Sequence, residues 1–207
     1  MSLDPEIRHD TSALPGGHKE LGGATWGRHH WRQLVDMELP DDATLTSLVN
    51  KFFLSVDWFM MVFHEPSFRE RYEALLRSEH VLYREGNFLW LAMLVVALGA
   101  HYTAVSSSVV ASEFDLQRLS SDLIARIEAR FLQFVGCASV ETVQICVLLG
   151  SFLLFNGRPN VGLGISGAGV KIAQVINLHR ENRWQDTSAD IMETKRRTWW
   201  ALEVFDK

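Results

Sequence analysis

Residues 161–176 constrain the fold of this 207-residue chain more than any other stretch. They contain a Gly162-x-Gly164-x-x-Gly167 string, a pattern found in dinucleotide-binding turns. The same stretch carries apolar residues at helical spacing, namely Val161, Ile165, Ala168, Ile172, Val175 and Ile176. Because this period runs through the glycines without a break, it predicts that they lie inside an amphipathic helix.

A dinucleotide-binding turn needs a strand directly before its first glycine, because the turn leaves a sheet edge and opens a helix. Here Asn156-Gly157 has the pattern of a helix end, and residues after Leu178 predict no second strand. A dinucleotide-binding oxidoreductase fragment is therefore the secondary alternative. In the helical interpretation Gly164 and Gly167 allow a neighbouring helix to pack closely, whereas Gly162, near the helix start, matters less.

Helix signals also dominate the first half of the chain and predict an all-α fold of packed helices without a substantial sheet. Asp41-Asp42 opens a helix that runs to about residue 60. Before the next helix, Ser67-x-x-Glu70 forms a capping-box pattern, although Pro66 fits the first helical position equally well. Asn87 is placed to cap an apolar helix over 88–102, in which Gly99 marks a close contact.

Two further helices are predicted in the second half. Ser112 is placed to cap a helix with one apolar stripe, and Ser139 to cap a buried helix over 140–155. The stripe consists of Leu116, Leu119, Leu123, Ile127, Phe131 and Phe134. Residues 1–38 show no helical period and are rich in Gly and Pro, which predicts a flexible lead before a domain over 39–207. The sequence stops inside a helical pattern, so we expect a domain truncated at its C-terminus.

The last helix has two predicted faces. A helical wheel places Ile191, Thr198, Leu202 and Phe205 toward the core, with Trp199 at the margin. Trp200 and Val204 fall among charged residues instead, which predicts a contact surface with Trp200 partly exposed.

Composition narrows the classes of function. The net charge of −5 and the isoelectric point near 5.9 give no basic footprint for nucleic acid. Two cysteines, Cys137 and Cys146, do not make a disulfide framework and indicate a reducing compartment. The longest apolar runs, 88–100 and 145–155, are too short to span a bilayer and predict buried core helices rather than a membrane protein.

Several motifs, in order, resemble those of the fungal-specific transcription factor domain, the regulatory middle region of binuclear zinc cluster regulators. They are an H-x-P-[ST]-F turn at 64–68, an A-L-G-A helix end at 97–100, an S-x-x-T-x-Q helix start at 139–144, an A-x-x-L-G-L-H-R-like run at 173–180 and an R-R-x-W-W helix at 196–206. The positions that carry this resemblance are His64, Pro66, Ser67, Phe68, Gly99, Gln144, Gly167, Leu178, His179, Arg180, Arg196, Arg197, Trp199, Trp200 and Asp206.

The resemblance implies a nuclear, all-helical regulatory domain that controls transcription within a longer protein and has no enzyme activity. It also implies protein partners or a dimer of the chain itself, with a small-molecule effector as a further option. DNA contact and zinc belong to a six-cysteine module of the family, which two cysteines cannot form, so this chain is expected to hold no cofactor. Asn177 stands where the family has glycine and is the next-best residue for a left-handed helix end. A helical scaffold unrelated to transcription is the other alternative.

Candidate catalytic or metal-binding groups have simpler interpretations. Asp57, His64 and Glu65 suggest acid–base chemistry, but a turn histidine that binds backbone carbonyls explains His64 better. Metal binding by the N-terminal histidines lacks ligand spacing. Those histidines are His9, His18, His29 and His30.

The sequence also gives only weak evidence for a catalytic nucleophile and for a basic binding site. Residues 164–167 lack one spacer of the Gly-x-Ser-x-Gly motif and lie in a predicted helix. Both cysteines are predicted to be core or near-core thiols. The basic run 195–197 suggests nuclear import or phosphate contact, but such a run is more often a solvated helix face, and the family resemblance explains it without an import role.

Overall fold

The computed structural model describes residues 30–78, 86–106, 115–185 and 188–206, and all regular secondary structure in these ranges is helical. The α-helices are α1 (Trp31–Val35), α2 (Asp42–Phe52), α3 (Trp58–Met60), α4 (Glu65–Arg77), α5 (Gly86–Ser106), α6 (Leu116–Ala129), α7 (Phe131–Gly136), α8 (Val140–Phe155), α9 (Pro159–Val175) and α10 (Ala189–Asp206). A π-helical turn, Phe53–Asp57, joins α2 to α3, and a 3-10 turn, Glu181–Arg183, lies between α9 and α10. The predicted all-α fold is confirmed.

Helices α5 and α8 form the centre of the body. Every residue from 88 to 100 in α5 and from 142 to 151 in α8 is buried. Helices α2 and α6 pack against α5, while α9 and α10 pack against α8. A helix that is apolar on all sides has to be covered on all sides, which explains why these two lie at the centre.

The length argument against a membrane span does not hold for α5. The apolar run 88–100 is short, but the helix that contains it has 21 residues and is long and apolar enough to cross a bilayer. In the fold, 72% of its most apolar window is buried inside the body, as expected for the core helix of a folded domain.

The segment predicted as one helix from Asp41 to Met60 is helical throughout but changes its winding. Asp41 caps α2 as predicted, accepting a hydrogen bond from the Thr44 amide at 2.8 Å. After Phe52 the chain widens into the π-helical turn. A π turn inserts one extra residue per turn, so the side chains that follow it point in directions that a plain helical period does not predict.

The end of the predicted lead is structured. Residues 1–29 lie outside the described ranges, but residues 31–35 form α1, in which Trp31 is 1% and Val35 0% exposed. Arg32 holds this helix to the start of α2, binding the Pro40 carbonyl at 2.9 Å and the Asp42 carboxylate at 2.6 Å. Five helical residues are too few to produce a recognisable period, so the sequence does not reveal this helix.

The predicted helix starts are correct in part. Ser139 caps α8 as predicted, accepting the Thr142 amide at 3.2 Å. Asn87 is not a cap; it lies inside α5 and donates to the Cys137 carbonyl at 2.9 Å, which ties α5 to the start of α8. Asp115 caps α6, and Ser112, the predicted cap, lies outside the described residues.

The apolar stripe predicted across α6 and α7 faces the core. Leu119, Leu123, Ile127 and Phe134 are buried, and Leu116 and Phe131 are half-buried against them. The stripe continues across the break between the two helices at Arg130.

The close-packing glycines are only partly the ones predicted. A β-carbon at Gly164 or Gly167 would meet open space. At Gly162 it would lie 2.6 Å from the Gly150 carbonyl oxygen, and at Gly99 it would lie 2.0 Å from the Leu48 carbonyl oxygen. The contact at Gly99 is confirmed, whereas the predicted packing role of Gly164 and Gly167 is wrong, and Gly162 is the position where α9 approaches α8.

These contacts also rotate the buried face of α9. Ile165 and Ile172 are buried as predicted, but Val161 and Val175 are 41% and 72% exposed. The buried face is centred on small residues, Gly162, Ser166 and Gly169, which allow the backbone of α8 to come close. The spacing of apolar residues in the sequence cannot locate such a face, because glycine contributes no hydrophobic signal.

Candidate functional site

Three of the five resemblance motifs converge on the turn between α3 and α4, residues 61–64. Met61 ends α3 in the left-handed conformation, with φ of 45°. The turn then presents two carbonyl groups to α8 and α10. Gln144 Nε2 donates to the Val62 carbonyl at 3.3 Å, and Arg197 donates to the Phe63 carbonyl at 2.9 Å. Three motifs that are far apart in sequence thus meet at one turn, which we name the junction turn.

Hydrogen bonds and ring contacts hold the α4 side of the junction turn. His64 precedes α4, and its Nδ1 lies 2.8 Å from the Ser67 hydroxyl. Pro66 occupies the first turn of α4, so the capping-box alternative with Glu70 is wrong. Phe68 is 4% exposed and packs on Phe63 with ring centroids 4.8 Å apart. His64 therefore has a local structural partner, a hydroxyl rather than the predicted backbone carbonyl.

Asp57 is a half-buried carboxylate at the end of the π-helical turn that the sequence does not single out as buried. Within the described residues its Oδ1 has no hydrogen-bond partner. Burial raises the pKa of Asp57 to about 6, with the charge of Glu65 adding to the rise. Arg197 and the amide groups of Phe63 and Val62 oppose part of it. This arrangement couples the charge of Asp57 to the α10 arginine that binds the junction turn.

Replacing Asp57 by asparagine should stabilise the protein at pH 7.5 relative to wild type, and the difference should shrink at pH 5. The pKa of the folded state, about 6, lies above the ordinary value of 3.8, so folding favours the protonated carboxyl. The protonated carboxyl therefore stabilises the fold fully when the pH is below the ordinary pKa of 3.8, and this stabilisation is lost as the pH rises through the folded-state pKa of about 6. Asparagine keeps the neutral form at every pH.

Urea denaturation midpoints at the two pH values measure this effect, with the exposed Asp190→Asn variant as control. A difference between Asp57→Asn and wild type that is unchanged between pH 5 and 7.5, or that grows at pH 5, would contradict the assignment.

A small crevice lies beside the junction turn. Its volume is about 30 Å³, and its polar lining comes from His64, Ser67, Arg71, Gln144 and Thr194. A buried water needs roughly 10–15 Å³ of such space. The crevice therefore suits one or two water molecules, and an organic effector does not fit it in this conformation.

The end of α9 follows the predicted left-handed stop. Asn177 has φ of 57°, and the Leu178 amide binds the Ala173 carbonyl at 2.8 Å, the pattern of a Schellman motif. His179 then packs toward Trp199, with ring centroids 5.8 Å apart, whereas Arg180 is exposed. The A-x-x-L-G-L-H-R-like run thus forms the end of α9 and contacts α10 through His179. Asn177 replaces the glycine of the family motif.

The basic run on α10 is held by specific contacts. Arg196 pairs with Glu181, whose pKa the hydrogen bond from Arg196 lowers. Arg197 pairs with Glu193 at 2.7 Å besides binding the junction turn, and Lys195 lies over the Trp184 ring at 5.5 Å. These contacts favour a structural role for the run over the import and phosphate interpretations.

The predicted faces of α10 are largely confirmed. Thr198 and Leu202 are buried, and Trp200 and Val204 are 64% and 70% exposed. Trp199 is half-buried against the core, so it is the more buried of the two tryptophans, as predicted. Ile191 is an exception at 47% exposure, since it lies in the first turn of α10.

The remaining candidate groups are not brought together. Cys146 is buried, which raises the pKa of its thiol to about 12, and Cys137 is exposed, so the near-core prediction is wrong for Cys137. Ser166 is buried in α9 against α8. His9, His18 and His29 fall outside the described residues, and in the part of the chain that is described no three His, Cys, Asp or Glu side chains form a metal-ligand group.

The helical path through Gly162, Gly164 and Gly167 removes the dinucleotide alternative. Helix α9 starts at Pro159, and across the described ranges no strand precedes or follows it. The fold and the junction turn define a helical domain whose motif side chains bind its own backbone.

Comparison with known proteins identifies the class. The family model "Fungal specific transcription factor domain" matches residues 49–207, so the chain belongs to this family. The predicted family and its role in transcription regulation are thereby confirmed, and the unrelated-scaffold alternative is wrong. No solved structure gives a significant match.

Several curated relatives are regulators of transcription. The thiamine repressible genes regulatory protein thi1 of Schizosaccharomyces pombe is 25% identical over 179 residues, covering 86% of this chain and 22% of that protein. An ABC-transporter-regulating transcription factor of Aspergillus oryzae is 25% identical over 171 residues, covering 82% of this chain and 18% of that protein. Transcription factor macR of Penicillium terrestre is 24% identical over 181 residues, covering 81% of this chain and 21% of that protein. The chain thus spans about a fifth of the length of these relatives.

Proposed function

We propose that this chain acts in the nucleus as a non-catalytic regulatory domain that controls a DNA-binding module elsewhere on a longer polypeptide. The observation that carries the proposal is the junction turn, where the motif side chains Gln144 and Arg197 bind backbone carbonyls. Side chains used in this way hold helices in register and are not available to a substrate. The relatives, which are transcription regulators about four to five times as long, support the same role.

A regulatory domain of this kind needs an element with two arrangements that a partner can bias. The junction turn is suited to this, because it connects α3 and α4 to α8 and α10 through a few side-chain bonds. A partner that displaces α10 would release Arg197 from the Phe63 carbonyl and free the turn. In this proposal a protein partner or a second copy of the chain displaces α10, and an organic effector would need a site other than the crevice beside the junction turn.

The exposed pair on α10 supports a further part of this proposal. Trp200 and Val204 are surrounded by Glu193, Arg196 and Glu203, and charged neighbours around an apolar pair are typical of a contact surface. We propose that further helices of the same domain in the longer polypeptide cover this pair. The part of the iodide quenching that the Trp200→Phe variant loses would then be present in this chain and absent from the full-length protein.

The chain alone should bind neither DNA selectively nor zinc stoichiometrically. Its net charge is −5, and the two cysteines fall short of the six that the family's zinc module uses. Phosphate contacts by Lys and Arg dominate DNA affinity, and the described arginines of α10 are engaged with carboxylates.

Gel shifts with a random-sequence DNA pool at physiological salt, followed by sequencing of any bound fraction, measure DNA selectivity. Zinc analysis of the purified chain after dialysis measures zinc binding. A sequence-selective shift, or one bound zinc per chain, would contradict the proposal that DNA and zinc are bound by a module elsewhere on the polypeptide.

A further inference from the structure

Three energetically unfavourable features meet between Phe53 and Met61, where the chain enters the junction turn. Residues 53–57 form the π-helical turn, a rare winding that is often found at functional sites. Met61 has φ of 45°, although its side chain disfavours the left-handed conformation. Between them lies Asp57, whose Oδ1 is buried without a hydrogen-bond partner among the described groups. Backbone strain of this kind persists only where the surrounding structure holds it, and it is common in switch segments.

A few bonds hold the strained segment closed. The Val62 carbonyl accepts from Gln144 at 3.3 Å and from Thr198 at 3.4 Å, both of which are long. The Phe63 carbonyl accepts from the charged Arg197 at 2.9 Å, which makes this the strongest of the three bonds. Breaking them would free the turn and leave the hydrogen bonds within α8 and α10 intact. Val62 and Phe63, which are 0% and 2% exposed, would lose their burial, so the closed form predominates.

Charges from two neighbouring helices face Asp57. Glu65 at the start of α4 disfavours the ionised carboxylate, and Arg197 of α10 favours it. Helix α8 contributes the neutral amide of Gln144 to the same turn. Glu193 pairs with Arg197 at 2.7 Å, and this hydrogen bond lowers the pKa of Glu193, so Glu193 stays charged. Burial is the largest influence on Asp57, and its negative charge is therefore disfavoured as long as the turn is closed.

We propose that the junction turn is a proton-linked switch, in which loss of the Asp57 proton to water favours an open arrangement of residues 57–64. Such a switch rests on the proposed function, since it regulates the same turn. Opening brings the carboxyl group into water, where its pKa returns from about 6 to the ordinary value of 3.8. The closed form is thus favoured fully below pH 3.8, and this preference is lost as the pH rises through 6.

Hydrogen exchange of the whole 207-residue chain, measured by NMR at pH 5 and pH 7.5, tests the switch. After correction for intrinsic exchange rates, the amides of residues 61–63 should be less protected than those of residues 143–149 in the core. Their protection should fall by roughly threefold to tenfold from pH 5 to pH 7.5. The lower end of this range allows for the partial exposure of Asp57. In Asp57→Asn the protection of residues 61–63 should be the same at both pH values.

Two control variants separate Asp57 from other titrating groups. Asp190→Asn, an exposed change on α10, should keep the pH dependence of the wild type. His64→Gln should keep it as well, and this control is needed because histidine changes charge between pH 5 and 8.

Protection of residues 61–63 that equals that of the core at both pH values would overturn the proposal, because the turn would then open only when the whole fold unfolds. A pH dependence that survives in Asp57→Asn, or that disappears in His64→Gln, would also overturn it. Hydrogen exchange is measured without DNA or transcription, so failure of the switch and failure of the regulatory role give different results.

Discussion

Replacing Trp31 by alanine should lower the free energy of unfolding by about 3–5 kcal/mol, the range for removing a large buried aromatic side chain. Trp31 is 1% exposed and contacts both the His30 ring and the Arg32 guanidinium. Its Nε1 has no hydrogen-bond partner among the described groups, so the loss comes from packing and the cavity left behind. Urea denaturation followed by circular dichroism measures it.

Trp200→Ala is the matched control, because that tryptophan is 64% exposed. Its effect should stay within about 0.5 kcal/mol, as for most surface substitutions. If Trp31→Ala were as mild as Trp200→Ala, α1 would not be part of the core, and residues before 39 would have to be treated as a lead after all.

Replacing Gly99 by alanine should destabilise the protein by about 1–3 kcal/mol or more, through overpacking. The new β-carbon would lie 2.0 Å from the Leu48 carbonyl oxygen and 2.8 Å from its carbon, both of which are backbone atoms. Backbone atoms cannot move aside as a side-chain end does, so α2 has to shift away from α5. The gain of about 1 kcal/mol in helix propensity offsets only part of this cost.

Gly164→Ala and Gly167→Ala are the matched controls, since a β-carbon at either position meets open space. Each should stabilise the protein by up to about 1 kcal/mol through helix propensity alone. Thermal midpoints of the three variants give the comparison in one experiment. Destabilisation by Gly167→Ala that equals the effect of Gly99→Ala would contradict the packing of α9 described above.

The central helices could be predicted from sequence because their signals are local. An uninterrupted apolar run marks α5 and α8, and the stops at Gly157 and Asn177 depend on left-handed residues, with φ of 82° and 57°. Ser139 and Asp41 cap their helices through bonds to amides three residues away. Each of these features is decided within one or two turns of the chain.

The close contacts could not be predicted, because they depend on which helix comes to lie opposite. Gly162 and Gly167 look alike in sequence, yet only Gly162 faces the backbone of α8. Likewise α1 is too short to show a period, and its burial follows from the bonds of Arg32 to the start of α2.

The candidate site was predictable in its residues but not in its chemistry. The resemblance singles out His64, Gln144 and Arg197, and the structure brings all three to the junction turn. It does not single out Asp57, because the burial of this carboxylate depends on the π-helical turn.

Transcription of a reporter gene in fungal nuclei, with the chain fused to an unrelated DNA-binding module, tests the central claim most directly. The fused wild-type chain should change reporter output by about fivefold or more relative to the module alone, in the range of typical coupling between sites. Arg197→Met, which releases the junction turn, should abolish the change, whereas the surface control Leu132→Asp should retain it. Reporter output that is identical with and without the wild-type chain would contradict a regulatory role for this domain.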